Sequence, residues 1–122
     1  MELIGLFNVD MNKIGLLLLH KGHYNGKVIV SEKWINALLN PTIFYRTPWG
    51  FDGSTYALCF YHYNYNGTPI TYGLGWGGQH LFVIPAKKAV ISVNESINDA
   101  TAIKAENLFL NKIFPIIYQQ LK

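Results

Sequence analysis

From Tyr56 to Val93 the chain sets down three blocks of strand-forming residues with turn signals between them, and that succession predicts an antiparallel meander. Tyr56 to Tyr63 is apolar or aromatic at nearly every position, as expected of a strand covered on both faces. Asn64-Tyr65-Asn66-Gly67 then supplies a hairpin turn. Ile70 to Ile84 reads as the second strand, and Pro85-Ala86-Lys87-Lys88 turns it into the third, Ala89-Val90-Ile91-Ser92-Val93.

Helical patterns flank the meander. Met11, Ile14, Leu17 and Leu18 recur at three-four spacing, Asn8 or Asp10 is placed to cap the start, and Lys21-Gly22 ends the turn, which predicts a helix over roughly residues 9 to 21. His23 to Lys27 reads as a turn into an extended Val28-Ile29-Val30. Ser31 is an N-cap for a second helix with Trp34, Ile35, Leu38 and Leu39 on its apolar face and Asn40-Pro41 as its stop. Residues 41 to 54 form a loop whose Phe44, Tyr45, Trp49 and Phe51 are expected to pack onto something. From Asp99 or Thr101 a third helix follows through Ile103, Leu110, Ile113, Ile117 and Leu121, with Lys104, Glu106, Asn107, Asn111 and Lys112 on its polar side. Pro115 should kink or split it. The predicted class is α+β: three antiparallel strands, the last helix across one face of the sheet and the first two near the other. At least one sheet edge is left without a partner.

Composition narrows the function classes. The chain has 122 residues, half of them apolar and only 14% charged, against about 25% in an ordinary domain. Such a chain is not disordered, and buries most of itself in its own core or against something else. Its longest apolar run, Ile14 to Leu19, is far short of the roughly 20 residues that cross a membrane. Met1-Glu2-Leu3-Ile4-Gly5 lacks a basic leader, so no secretory signal is expected and a cytoplasmic location is the default. A formal charge of +3, with Lys87-Lys88 the sole basic doublet, argues against nucleic acid. His20 and His23 lack further ligands at metal spacing, so neither metal nor cofactor is expected. Cys59, the lone cysteine, excludes an internal disulfide and reads as a buried hydrophobe.

The stretch Tyr72-Gly73-Leu74-Gly75-Trp76-Gly77-Gly78-Gln79-His80 asks for a reason of its own, because glycine weakens a strand and four fall within six positions. At period two, Gly73, Gly75 and Gly77 share a face stripped of side chains, while Leu74, Trp76 and His80 lie on the other. A bare strand lets a ligand or another backbone approach and offers its N–H groups. A bulge or a tight bend against a helix explains the same glycines.

Trp76-Gly77-Gly78-Gln79-His80, followed by Leu81-Phe82-Val83-Ile84-Pro85 and Ala89 to Val93, resembles the C-terminal part of the serine β-lactamase and penicillin-binding-protein superfamily. The likeness is to its carboxylesterase and 6-aminohexanoate-dimer hydrolase branch, in which a Trp-x-Gly sequence replaces Lys-Thr-Gly. Asp10 to Leu19 with Gly22, then Asn25-Gly26-Lys27-Val28-Ile29-Val30-Ser31 and Trp34, is similar to the segment that precedes that family's last three strands. The resemblance spans nearly the whole chain. It implies a partial β-lactamase/transpeptidase-like fold, with residues 1–122 as the C-terminal portion of one domain.

The resemblance also implies a division of labour. That family attacks a carbonyl with a serine activated by a lysine one helical turn on, in a Ser-x-x-Lys motif, and by a tyrosine. Carried over, the backbone N–H of Gln79 would be an oxyanion donor, Gly77 and Gly78 would give the substrate room, and Trp76 would line the pocket. His80, directly after the oxyanion position and on the strand face assigned to Trp76, is placed to orient a substrate group. A structural hydrogen bond is the other reading of His80. Trp76 in place of lysine removes the cation that would hold a β-lactam carboxylate, which favours esters or small amides.

The nucleophile itself is absent: Ser31, Ser54, Ser92 and Ser96 are followed at the third position by Trp34, Ala57, Glu95 and Asp99. The expectation is therefore an inert C-terminal piece of a serine hydrolase, partnered by an N-terminal half that carries the Ser-x-x-Lys, or self-associating through its open sheet. The alternative is a non-enzymatic binding module that uses the Phe44 to Phe51 loop and the strands as its surface.

Overall fold

A computed structural model describes residues 7–95 and 102–122. The first helix, α1 (Asn8–Leu19), starts where the Asp10 carboxylate accepts the Phe7 N–H at 3.4 Å, so Asp10 and not Asn8 serves the N-terminus. It stops at Gly22, whose φ of +88° and tight approach to the Val30 carbonyl exclude a side chain. A two-residue hairpin follows, β1 (His23–Tyr24) and β2 (Lys27–Val28), turning on Asn25-Gly26 with both φ values positive, the geometry that Asn-Gly favours. In α2 (Glu32–Leu39) the Ser31 hydroxyl accepts the Trp34 N–H at 3.2 Å, as its sequence position predicts. Ile35 and Leu38 bury their side chains, whereas Trp34, expected on the apolar face, stands in solvent.

The sheet has six antiparallel strands where three were expected. They run in chain order: β3 (Tyr45–Arg46), β4 (Thr55–Ala57), β5 (Phe60–Tyr65), β6 (Thr68–Gly75), β7 (Gln79–Ile84) and β8 (Ala89–Val93). Two predicted strands are each a hairpin. Leu58 and Cys59, at φ values of +51° and +68°, fold residues 55–65 back so that Ala57 faces Phe60. Trp76-Gly77-Gly78 does the same to the second, pairing Gly75 with Gln79. The sequence hid both because an apolar residue in left-handed backbone costs roughly 1–2 kcal/mol and gives no turn signal, while the glycines fit a bare strand as well as a turn.

Helices cover both faces. On one side Phe109, Leu110 and Phe114 of the C-terminal helix pack onto Phe51, Ile70, Tyr72, Phe82 and Ile84. Pro115 splits that helix as expected: α3 (Ala102–Leu108) passes through a π-helical segment, Phe109–Ile113, into α4 (Phe114–Gln120). Proline has no N–H to bond to the carbonyl four residues back, and the wider turn accommodates the loss. On the other side Leu18 of α1 and Ile35 and Leu38 of α2 pack with Val83 and Phe60. Gly15 lets α1 settle onto the sheet, since a Cβ there would collide with Val90 and crowd Leu81. Of the described helices, none is long and apolar enough to cross a membrane. The result is a helix–sheet–helix sandwich with β3 at one edge of the sheet and β8 at the other.

Candidate functional site

The glycines of β6 open a cavity. Tyr72 and Leu74 point into the cluster beneath the C-terminal helix, so Gly73 and Gly75 face the α1 side. A Cβ on Gly73 would meet nothing within 4 Å. The space so left belongs to an open cavity of about 390 Å³, walled by Met11 and Ile14 of α1, Cys59, Gln79 and Asn94. The β5–β6 ladder ends at Tyr61 opposite Tyr72, while β6 stays paired to β7 as far as Gly75. Residues 73–75 therefore border the cavity with strand β7 on one side and no β5 ladder partner on the other.

The five residues picked out by sequence lie together but are not equivalent. Gly77 and Gly78 are buried in the β6–β7 turn at φ values of +93° and +89°, a backbone that side chains resist. The expected single strand face through Gly73, Gly75 and Gly77 thus ends at Gly75. Gln79 opens β7 at the cavity rim, where its exposed side chain donates back to the Gly77 carbonyl at 3.3 Å. Trp76 is 62% exposed and lines a different, smaller cleft together with Trp49, Tyr61 and Glu106.

His80 is the cross-strand partner of Leu74, so its side chain lies on the C-terminal-helix side of the sheet. Its ring is buried, 4% exposed, and stacks on Phe109 at 4.6 Å between centroids and on Phe82 at 5.9 Å. Burial lowers its pKa to about 4, against which a hydrogen bond to the Gly78 carbonyl acts. Nδ1 has no hydrogen-bond partner among the described residues. The imidazole is thus a neutral member of the core in this structure. His62 is packed as expected, its ring nitrogens 3.3 Å from the Ala57 carbonyl oxygen and 3.3 Å from Thr71 Oγ1. Burial lowers its pKa too.

The described serines are all occupied structurally. Ser31 caps α2, Ser92 donates to the Asn8 carbonyl at 3.2 Å, and Ser54 is buried 2.5 Å from the Tyr72 hydroxyl. Ser96 lies outside the described residues. The cavity takes its polar lining from Gln79, His80, Asn94 and Cys59. Cys59 corrects the sequence reading, being exposed at the β4–β5 turn instead of buried in a strand. The arrangement offers a bare, partly open strand and adjacent hydrogen-bonding groups, a wall for a ligand rather than a set of groups that attacks a bond.

Sequence reasoning also missed the cluster around Tyr72, whose hydroxyl accepts the Phe51 N–H at 3.0 Å and lies against Gly50. No short-range pattern could reveal it, since it joins the aromatic loop to β6 across 21 residues. Compared with known families and with curated proteins, the chain matches no family model and no curated protein.

Proposed function

We propose that this chain is the C-terminal portion of a β-lactamase-like serine hydrolase domain that acts on esters or small amides through an acyl-enzyme. The observation that carries the reading is the glycine-bare end of β6, which runs past the β5 ladder and borders a cavity of about 390 Å³ with Gln79 at its rim. A strand of this kind is suited to hold an acyl group by its backbone, and a backbone N–H beside it is suited to stabilise an oxyanion, an interaction worth roughly 3 kcal/mol in the transition state. In this reading Gln79 supplies that N–H, Gly77 and Gly78 keep the approach clear, and Trp76 flanks it. His80 borders the same cavity and braces the turn through the Gly78 carbonyl. The open edge of β8 supports the same reading: a five-residue apolar strand with no neighbour on its far side among the described residues is suited to continue into a further strand.

The chain alone lacks Ser-x-x-Lys and is proposed to be inert. A fluorophosphonate probe tests this. No serine of the purified chain should be labelled, whereas a protein in which an in-frame Ser-x-x-Lys segment is read upstream of Met1 should be labelled at that serine. Stoichiometric labelling of Ser31, Ser54, Ser92 or Ser96 would overturn the proposal.

One observation favours the rival reading of a non-enzymatic binding module. Ile43, Phe44, Tyr45 and Trp49 stand out from the aromatic loop into solvent, with Ile43 77% exposed, and only Phe51 is buried. A self-sufficient module should melt cooperatively as a monomer, whereas a severed half should associate as it is concentrated.

A further inference from the structure

We propose that Asn25, at the tip of the β1–β2 hairpin, is a site of spontaneous deamidation, and that the packing of α4 withholds the same reaction from Asn66. Of the asparagines in the chain only these two precede a glycine, which has no side chain to shield its nitrogen from the neighbouring amide. The Gly26 nitrogen, deprotonated by hydroxide, bonds to Cγ of Asn25 and expels ammonia, closing a five-membered succinimide. Water then opens the ring at one carbonyl or the other, leaving aspartate or, where the main chain now runs through the side-chain carbons, isoaspartate. The net exchange is water for ammonia, and no further reactant is needed. Each site reads Tyr-Asn-Gly, so local sequence gives neither the advantage and the fold decides between them.

Opening of the turn sets the rate. Both turns hold asparagine and glycine at positive φ, +48° and +73° at Asn25-Gly26 and +48° and +86° at Asn66-Gly67. Backbone of that kind keeps the glycine nitrogen turned away from the asparagine Cγ, so the ring closes only when the turn lets go. Little holds the first turn. Strands β1 and β2 form a sheet of their own through two pairs, His23 with Val28 and Tyr24 with Lys27, and all four side chains are exposed. A lone two-stranded hairpin is marginal in water. Asn66 instead closes the β5–β6 ladder inside the six-stranded sheet, and α4 grips both sides of its turn. The Tyr65 ring lies 4.7 Å from that of Tyr118 and 5.1 Å from that of Phe114, and the Tyr118 hydroxyl donates to Thr68 Oγ1 at 2.8 Å. Below the first tip the Ile29 and Val30 N–H groups bond to the Gly22 carbonyl, so opening at Asn25 leaves the base of the hairpin in place and the modified protein folded.

The test is incubation of the purified chain at pH 8 and body temperature, with peptide mass spectrometry locating each deamidation and an isoaspartyl methyltransferase reporting the isoaspartate. Asn25 should convert about tenfold or more faster than Asn66, because reaction follows the population of the locally opened state. In concentrated urea, where neither turn is held, the two rates should converge. Tyr118→Phe keeps the ring and removes the hydroxyl, and should speed Asn66 roughly three- to tenfold without changing Asn25, with circular dichroism confirming the fold. Equal rates at the two asparagines in the folded protein, a difference that persists in urea, no conversion of Asn25 while the urea-unfolded chain converts, or an unmoved Asn66 rate in folded Tyr118→Phe would overturn the proposal. No turnover is measured, so the outcome is independent of the hydrolase reading.

Discussion

The Tyr72 hydroxyl lies 2.5 Å from Ser54 Oγ and accepts the Phe51 N–H, which ties the start of β4 and the aromatic loop to the centre of the sheet. Both side chains are buried, so each hydroxyl depends on the other in place of water. Tyr72→Phe strands the Ser54 hydroxyl and the Phe51 amide together, and should destabilise the protein by about 1–3 kcal/mol in urea unfolding. Tyr72→Phe with Ser54→Ala should cost less than the two single changes added together, because the double variant leaves fewer unpaired groups.

The same tyrosine gives an alkaline signature. Burial pushes its pKa up to about 12 from 10.0, the hydrogen bonds from Ser54 and Phe51 opposing the shift. Above pH 10 the unfolded chain releases this proton while the fold retains it, so stability present below pH 10 is lost as pH rises toward 12, by roughly 2–3 kcal/mol at the limit. Burial raises Tyr61 and Tyr65 in the same direction, so Tyr72→Phe should flatten the alkaline fall without abolishing it. An unchanged slope would show that Tyr72 is not the group being titrated.

His80 predicts the opposite limb. An unfolded histidine takes up its proton near 6.5, whereas in the fold burial holds His80 neutral down to about 4. Between these values the unfolded state carries the extra proton, so stability is full above pH 6.5 and falls as pH drops toward 4, by roughly 3 kcal/mol at the acid end. His62, shifted the same way by burial, adds to the fall. Urea midpoints measured from pH 7 to 4 should decline less steeply in His80→Phe, which keeps the ring stack on Phe109 and removes the titration.

Much of this architecture is legible in the sequence because the signals are local. Ser31 capping α2, Asn25-Gly26 turning the chain, Asn66-Gly67 turning a hairpin, and Pro115 interrupting the last helix each need only a few neighbouring residues, and each is where the spacing puts it. The candidate site was legible only in part. Glycines that strip a strand face and glycines that bend a hairpin look alike in one dimension, so the period-two pattern holds for Gly73 and Gly75 and fails at Gly77, which bends the chain. Glu106 illustrates the rest: helical spacing assigns it to a polar face, but its bond to the Gly50 N–H depends on a loop 56 residues away.

The turn at Leu58-Cys59 is where local preference and fold disagree most. Both residues hold positive φ without the glycine, asparagine or aspartate that a two-residue hairpin normally uses. Replacing the pair with Asn-Gly should relieve strain and stabilise the protein by about 1–2 kcal/mol. A loss of stability would mean that the Leu58 or Cys59 side chain makes contacts that outweigh its strain, and Cys59→Gly alone would assign the effect to one residue.

The last prediction concerns the edge of β8. Its neighbour on one side is β7, paired from Ala89 to Val93, and among the described residues no strand pairs with the other. An apolar five-residue strand with a free ladder is a template for another strand. Sedimentation at rising concentration should therefore show self-association, and hydrogen exchange should locate it: the alternate β8 amides that point away from β7 should exchange quickly in dilute protein and become protected as the association proceeds. Protection of those amides in the dilute monomer would mean that the edge is already covered. A monomer that stays dispersed at high concentration while the amides exchange freely would mean that an open edge is not enough to recruit a second chain.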